Sequence, residues 1–266
     1  MKNLEKDNIL HVRMFGSFSM VWNGEYLAGG TRSSETQFAY LMQLLLHNRK
    51  SGISREQLNK NLFADRDVKD FNHAARSVIY NARKKLKAAG LPDVNYIKQQ
   101  GGIYYWTEEI TVEEDATVFD ELYRQADNEP DSDKKLEIYL KACHCYTGEF
   151  LGDQTAVVWV AQEARRYRGA FCACAEAAVR LLRKRQDYLR MEELGRYAAK
   201  INPLADWENV TMEALTALGR TGEAVRFYED TVEMYFQEEG LRPSERLLEM
   251  LENMGTLIEH QYALLD

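Results

Sequence analysis

Phe71-Asn72-His73-Ala74-Ala75-Arg76-Ser77-Val78-Ile79-Tyr80-Asn81-Ala82-Arg83-Lys84-Lys85-Leu86-Lys87-Ala88-Ala89-Gly90 is followed closely by Tyr96-Ile97-Lys98-Gln99-Gln100-Gly101-Gly102-Ile103-Tyr104-Tyr105-Trp106, and the pair decides the fold. Ala75, Ile79, Ala82 and Leu86 recur at i, i+4, i+7 and i+11, the single apolar stripe of an amphipathic helix. The spacing predicts a helix from about Asp70 to Ala89, ended by Gly90 and Pro92. Between Phe71 and Pro92 stand five cationic residues, Arg76, Arg83, Lys84, Lys85 and Lys87, and no Asp or Glu. At about 100° per residue, the side opposite the stripe carries Ser77, Tyr80, Asn81 and Lys84, with Arg76 and Arg83 flanking. The second stretch reads as two β-rich arms around a Gly-Gly turn.

Upstream, two more helices are expected. The first starts at Ser34, with Gln37 three residues on as a capping partner, and its stripe is Phe38, Leu41, Met42 and Leu45. The second starts at Ser54 with Gln57 three residues on, and buries Leu58 and Leu62. Before them the chain reads as β. Leu10, Val12 and Met14 alternate with polar residues, as do Phe18, Met20 and Trp22, and Asn23-Gly24 supplies the positive φ pair of a two-residue hairpin turn. A hairpin, three helices and a second hairpin form the plan of a winged helix-turn-helix.

A helix with one acid-free face fits the major groove of duplex DNA, about 12 Å wide. Asn81 has the chemistry to pair bidentately with adenine and arginine with guanine, while flanking cations pair with phosphates. The hairpin tip, Lys98, Gln99 and Gln100 before Gly101-Gly102, is polar and acid-free and suits a minor groove or the phosphate backbone. Arg55, Lys60 and Lys85 complete the set of expected DNA contacts.

The overall charge of −8 masks an asymmetry. Residues 1–106 hold 16 Lys/Arg against 9 Asp/Glu, and the remainder holds 18 against 33. A basic half joined to an acidic half points to one part that meets a polyanion and another with different work. Beyond Glu108 the periodicity is helical almost to the end, through Phe119, Leu122, Tyr123 and Ala126, then Leu136, Tyr139, Leu140 and Cys143, then a long helical region over Val157 to Lys184. Leu182 and Leu215 lie 33 residues apart, as do Met191 and Ala224, a period close to that of tetratricopeptide-like helix pairs. Acidic residues in this half sit at helix-surface spacings. Cys143/Cys145 and Cys172/Cys174 are spaced two apart, pointing about 200° away from each other on a helix, so buried reduced thiols fit better than a metal chelate. No phosphate loop, dinucleotide fingerprint, nucleophile elbow or zincin motif occurs, so the sequence supports neither an enzyme nor a cofactor. The apolar runs are too short to span a membrane, and the first residues lack a signal-peptide core, which leads to the expectation of a cytoplasmic protein.

Residues 10–106 resemble the OmpR-type winged helix of response regulators and of Streptomyces antibiotic regulatory proteins. The likeness rests on Gly52-Ile53-Ser54-Arg55-Glu56-Gln57-Leu58 through Leu62-Phe63, on Arg83-Lys84-Lys85-Leu86 and on Gly101-Gly102-Ile103-Tyr104. Residues 115–254 resemble the bacterial transcriptional activator domain that follows this winged helix in those regulators, through Tyr146-Thr147-Gly148-Glu149-Phe150-Leu151, Asn202-Pro203-Leu204 and Glu239-Gly240-Leu241-Arg242-Pro243-Ser244. The resemblance implies a mainly α protein with a winged helix-turn-helix over 1–107 and an all-α tetratricopeptide-like array over 115–266. It further implies a transcriptional activator that binds repeated promoter sites on double-stranded DNA as side-by-side protomers and contacts RNA polymerase. Asn81, Ala82 and Tyr105 depart from the Arg, Leu and Arg usual at those places, so the resemblance does not carry over the wing arginine's minor-groove contact, and Asn81 implies a different base preference. The competing reading is a tetratricopeptide-like interaction adaptor whose winged helix no longer binds DNA; the charge asymmetry and the acid-free helix weigh against it.

Overall fold

Asn23 and Gly24 adopt φ of 47° and 83°, the left-handed pair that a tight hairpin turn needs. The turn joins strands β2 (Ser19–Trp22) and β3 (Glu25–Ala28), and β2 also pairs antiparallel with β1 (Ile9–Arg13), Leu10 opposite Trp22 and Val12 opposite Met20. The alternation read from the sequence sets the inner face: Leu10, Val12, Met14, Phe18, Met20 and Trp22 are all buried. The computed structural model describes residues 8–29, 36–63, 70–203 and 205–234, with 245, 249, 250 and 252.

Contacts divide the chain into two compact units, the first made of Met1–Glu121 and Cys145–Tyr167, the second of Leu122–His144 and Arg168–Asp266. In the first, helices α1 (Gln37–His47), α2 (Arg55–Leu62) and α3 (Phe71–Ala88) follow the first hairpin. Thr36 caps α1 through its hydroxyl, which accepts from Ala39 N; Ser34, the expected start, lies outside the described residues. Ser54 caps α2 by accepting from Gln57 N, and its hydroxyl donates to the Gln57 side chain. Strands β4 (Ile53–Ser54), β5 (Ile97–Gln100) and β6 (Ile103–Trp106) form a second sheet in the order β4-β6-β5. Gly101 and Gly102, both at positive φ, turn β5 into β6. The hairpin, three helices and wing therefore form as the sequence indicates.

One element differs from the sequence reading. The stretch after Glu108 does not enter a helix directly but first makes β7 (Thr111–Glu114), which pairs in parallel with β1, Ile9 opposite Thr111 and Val12 opposite Glu114. Four residues with a single large apolar side chain carry too little pattern to register, and the partner edge lies a hundred residues upstream in the chain. Helices α4 (Asp115–Asn128), α5 (Ser132–Cys145), α6 (Val158–Arg185), α7 (Tyr188–Ile201), α8 (Trp207–Ala217) and α9 (Thr221–Met234) follow, so the described chain is mainly α.

The 33-residue period is visible in the backbone. At the end of α6, Asp187 N donates to Leu182 O and Gln186 N to Arg183 O, with Gln186 at φ 58°. At the end of α8, Arg220 N donates to Leu215 O and Gly219 N to Thr216 O, with Gly219 at φ 71°. Each is a left-handed stop that satisfies the last carbonyls and turns the chain into the next helix, α7 or α9. Leu182, Met191, Leu215 and Ala224, the residues that showed the repeat, are all fully buried. Gly195 on α7 lets α8 approach closely, because a Cβ there would stand 2.6 Å from the Thr211 hydroxyl. Cys143 on α5 and Cys174 on α6 are buried free thiols, Cys143 donating to Cys174 at 3.6 Å and Cys174 to Tyr139 O at 3.4 Å.

Candidate nucleic-acid interface

Asp70 begins α3 by accepting a hydrogen bond from His73 N, and the stripe Ala75, Val78, Ile79, Ala82 and Leu86 turns inward. Burying that stripe leaves Arg76, Ser77, Tyr80, Asn81, Arg83, Lys84 and Lys87 exposed. Lys85 is half-buried, its ammonium 3.9 Å above the Phe38 ring of α1. The helix stops in the left-handed manner described above: Leu91 N donates to Leu86 O and Gly90 has φ 83°.

The cations of this face divide by what they touch. Arg83 reaches from α3 to the wing, its Nη2 donating to Ile97 O at 2.5 Å, so it fixes the helix against β5. Lys87 pairs with Asp93 at 2.6 Å, and that carboxylate holds its ammonium above the usual lysine range. Lys98 on the wing pairs with Glu109 at 3.2 Å. Arg76 and Lys84 on α3, and Arg55 and Lys60 on α2, are exposed and have no ion-pair partner among the described residues. Gln99 and Gln100 are exposed beside the turn.

The wing is held to the helices by its backbone. Arg55 N, the first amide of α2, donates to Gly102 O at 2.9 Å, and Ser54 sits opposite Ile103 in the sheet. Gly52 is required at the crossing: its φ is +74°, and a Cβ there would lie 2.5 Å from Ile103 Cγ2 and from Tyr105 Cε1. Asn59 Nδ2 donates to Asn72 Oδ1 at 3.4 Å between α2 and α3. Thus α2, α3 and the wing are joined to one another through Arg83, Arg55 and the Asn59–Asn72 pair.

The sequence reading missed a polar cluster that anchors α1. Glu114 at the end of β7 is fully buried, although the acidic residues of this region read as surface. It accepts from His47 Nδ1 at 2.9 Å, from Thr117 Oγ1 at 2.8 Å and from Arg49. His47 Nε2 lies 3.5 Å from Glu163 of α6. Burial alone depresses the His47 imidazole, but the two carboxylates outweigh it and push it up to about 9. Burial pushes the Glu114 carboxyl up, and His47, Arg49 and Thr117 together bring it below the usual range. Asp115, next along, is raised to about 6 by burial against the hydrogen bonds it accepts from Met14, Phe15 and Ala116 amides. Around these groups Phe15, Phe119, Tyr146, Phe150 and Tyr167 meet edge-on or stacked. No signal at the level of spacing links His47 to Glu114 and Glu163, which come together only through the parallel β1–β7 pairing and the return of α6.

A winged helix with this exposed face, followed by paired helices, defines the class of protein to which comparison leads. Residues 114–254 match the bacterial transcriptional activator domain, and the chain belongs to that family. The family is described as a transcriptional activator domain. The structure of Mycobacterium tuberculosis EmbR in complex with a low-affinity phosphopeptide is similar in fold, with a TM-score of 0.62 and 15% identity, over 93% of this chain and 65% of that one. The present chain thus spans under two thirds of the length of that structure. Comparison with curated proteins gives no match. No helix among the described residues is long and apolar enough to cross a membrane.

Proposed function

We propose that the chain is a sequence-specific duplex-DNA-binding activator, acting by binding and not by catalysis. Residues 1–107 form its DNA-binding part and 115–266 its protein-contact part. In this reading α3 enters the major groove, Asn81 and Ser77 face base edges, and Arg76, Lys84, Arg55 and Lys60 meet phosphates. Arg83 acts chiefly by holding helix and wing together, and Lys85 by packing on Phe38. The wing adds Gln99 and Gln100, with Lys98 available once its pairing with Glu109 is exchanged for a phosphate. The helical part contacts RNA polymerase, and protomers sit side by side on repeated sites in the cytoplasm. The observation that carries the reading is the acid-free exposed face of α3, where Arg76 and Lys84, without an ion-pair partner among the described residues, flank Tyr80 and Asn81.

Selection of bound duplexes from a randomised pool, followed by titration of the winners, tests it. The full chain should enrich a defined sequence. Arg76→Ala and Lys84→Ala should weaken binding to every duplex alike, and Asn81→Ala should relax one base position by about 1–3 kcal/mol. A pool that shows no enrichment over many rounds refutes the proposal.

A further inference from the structure

Tyr80 is the most exposed aromatic ring among the described residues, 67% open to solvent in the middle of α3. Its neighbours one turn away are Arg76 and Ser77 on one side and Lys84 on the other, with Asn81 beside it. All are exposed; Ser77, Asn81 and Lys84 lie with Tyr80 on the face opposite the buried stripe, and Arg76 flanks it. Aromatic side chains contribute to stability through burial, and tyrosine is a poorer helix former than alanine or lysine, so neither packing nor propensity accounts for a ring here. Position along the helix does. Arg76 and Lys84 are eight residues apart, about 12 Å of helix rise, which matches the width of the major groove. When these two cations meet phosphates on the two rims, Tyr80 is midway between them over the groove floor.

The apolar group that base pairs offer on that floor is the C5 methyl of thymine. Taking the proposed DNA binding as given, we infer that Tyr80 is a specificity-determining residue whose ring packs against a thymine methyl. The contact is non-directional and apolar, so it complements Asn81, which supplies hydrogen bonds. It also accounts for the tyrosine standing between Arg76 and Lys84, where a polar side chain would suffice for solubility.

Uracil in place of thymine removes that methyl and leaves the pairing edge unchanged. The test uses the full chain and the duplex enriched from the randomised pool, resynthesised with single thymines replaced by uracil. Wild-type protein should bind about fourfold more weakly at one or two replaced positions, the share expected for one buried methyl. Tyr80→Ala should bind thymine and uracil duplexes equally, at the affinity the wild type shows for uracil. Tyr80→Phe should keep the discrimination, because the ring and not the hydroxyl makes the contact. Equal wild-type binding to thymine and uracil duplexes at every position overturns the inference while leaving sequence-specific binding intact. A Tyr80→Phe variant that loses affinity for all duplexes alike also overturns it, by assigning the residue to a phosphate. Failure to enrich any duplex is the separate result that removes the DNA-binding reading and this inference with it.

Discussion

Among the described residues His47 is the one cation that bridges Glu114 and Glu163, and the cost of neutralising it follows from the imidazole's displacement. Its ordinary value of 6.5 rises to about 9 in the folded chain. A folded value above the unfolded one stabilises the protein fully below pH 6.5, and the contribution is lost as pH rises through 9. The displacement corresponds to about 3 kcal/mol of folding free energy, given that one pKa unit is worth about 1.4 kcal/mol. The imidazole is only 14% exposed, so solvent screens little of this. Urea unfolding of the full chain at pH steps between 6 and 10, followed by circular dichroism, measures it against His47→Gln, which keeps an amide donor but carries no charge. Wild type should lose about 3 kcal/mol more than the variant across that window. Parallel curves for the two proteins would show that the buried carboxylates do not depend on a protonated His47, and would refute the reasoning.

Three backbone positions give further expectations. Gly52→Ala should lower stability by about 1–3 kcal/mol and disturb the near-ultraviolet signal of Trp106, because positive φ and contact with Ile103 and Tyr105 both oppose a Cβ; an unchanged melting temperature and spectrum contradict the packing described. Gln186→Gly should raise stability by up to about 1 kcal/mol, relieving a left-handed residue at the end of α6. Gly219→Ala, at the equivalent place one repeat later, should lower it by about 1 kcal/mol, and denaturant midpoints that move the other way would separate the two turns.

The features legible in the sequence are those whose signal is local. Asn23-Gly24, the Ser54–Gln57 cap, the Ala75–Leu86 stripe and Gly101-Gly102 each state their conformation within a few residues, and each adopts it. The 33-residue repeat was legible through four positions because the same left-handed stop recurs after each first helix. Strand β7 and the His47–Glu114–Glu163 cluster were not, since both depend on segments distant in sequence that meet only after folding. Burial of Glu114 reverses what an acidic, polar stretch suggests, because Arg49 and His47 neutralise it in place. On α3 the exposed face was legible from periodicity, whereas the division of its cations was not. Arg83, Lys85 and Lys87 have intramolecular partners on the wing, on α1 and in the following loop, and composition alone counts them with Arg76 and Lys84.

That division makes the salt dependence of duplex binding the most direct measure of the proposed function. Each phosphate neutralised on B-DNA contributes about −0.9 to the slope of log Kobs against log salt concentration. The four cations Arg55, Lys60, Arg76 and Lys84 give a slope per protomer of about −3.6, Lys98 brings it to about −4.5 as it exchanges Glu109 for a phosphate, and Lys84→Ala should reduce the magnitude by about 0.9. A slope near zero, or one that Lys84→Ala leaves unchanged, contradicts the assignment of this face to DNA.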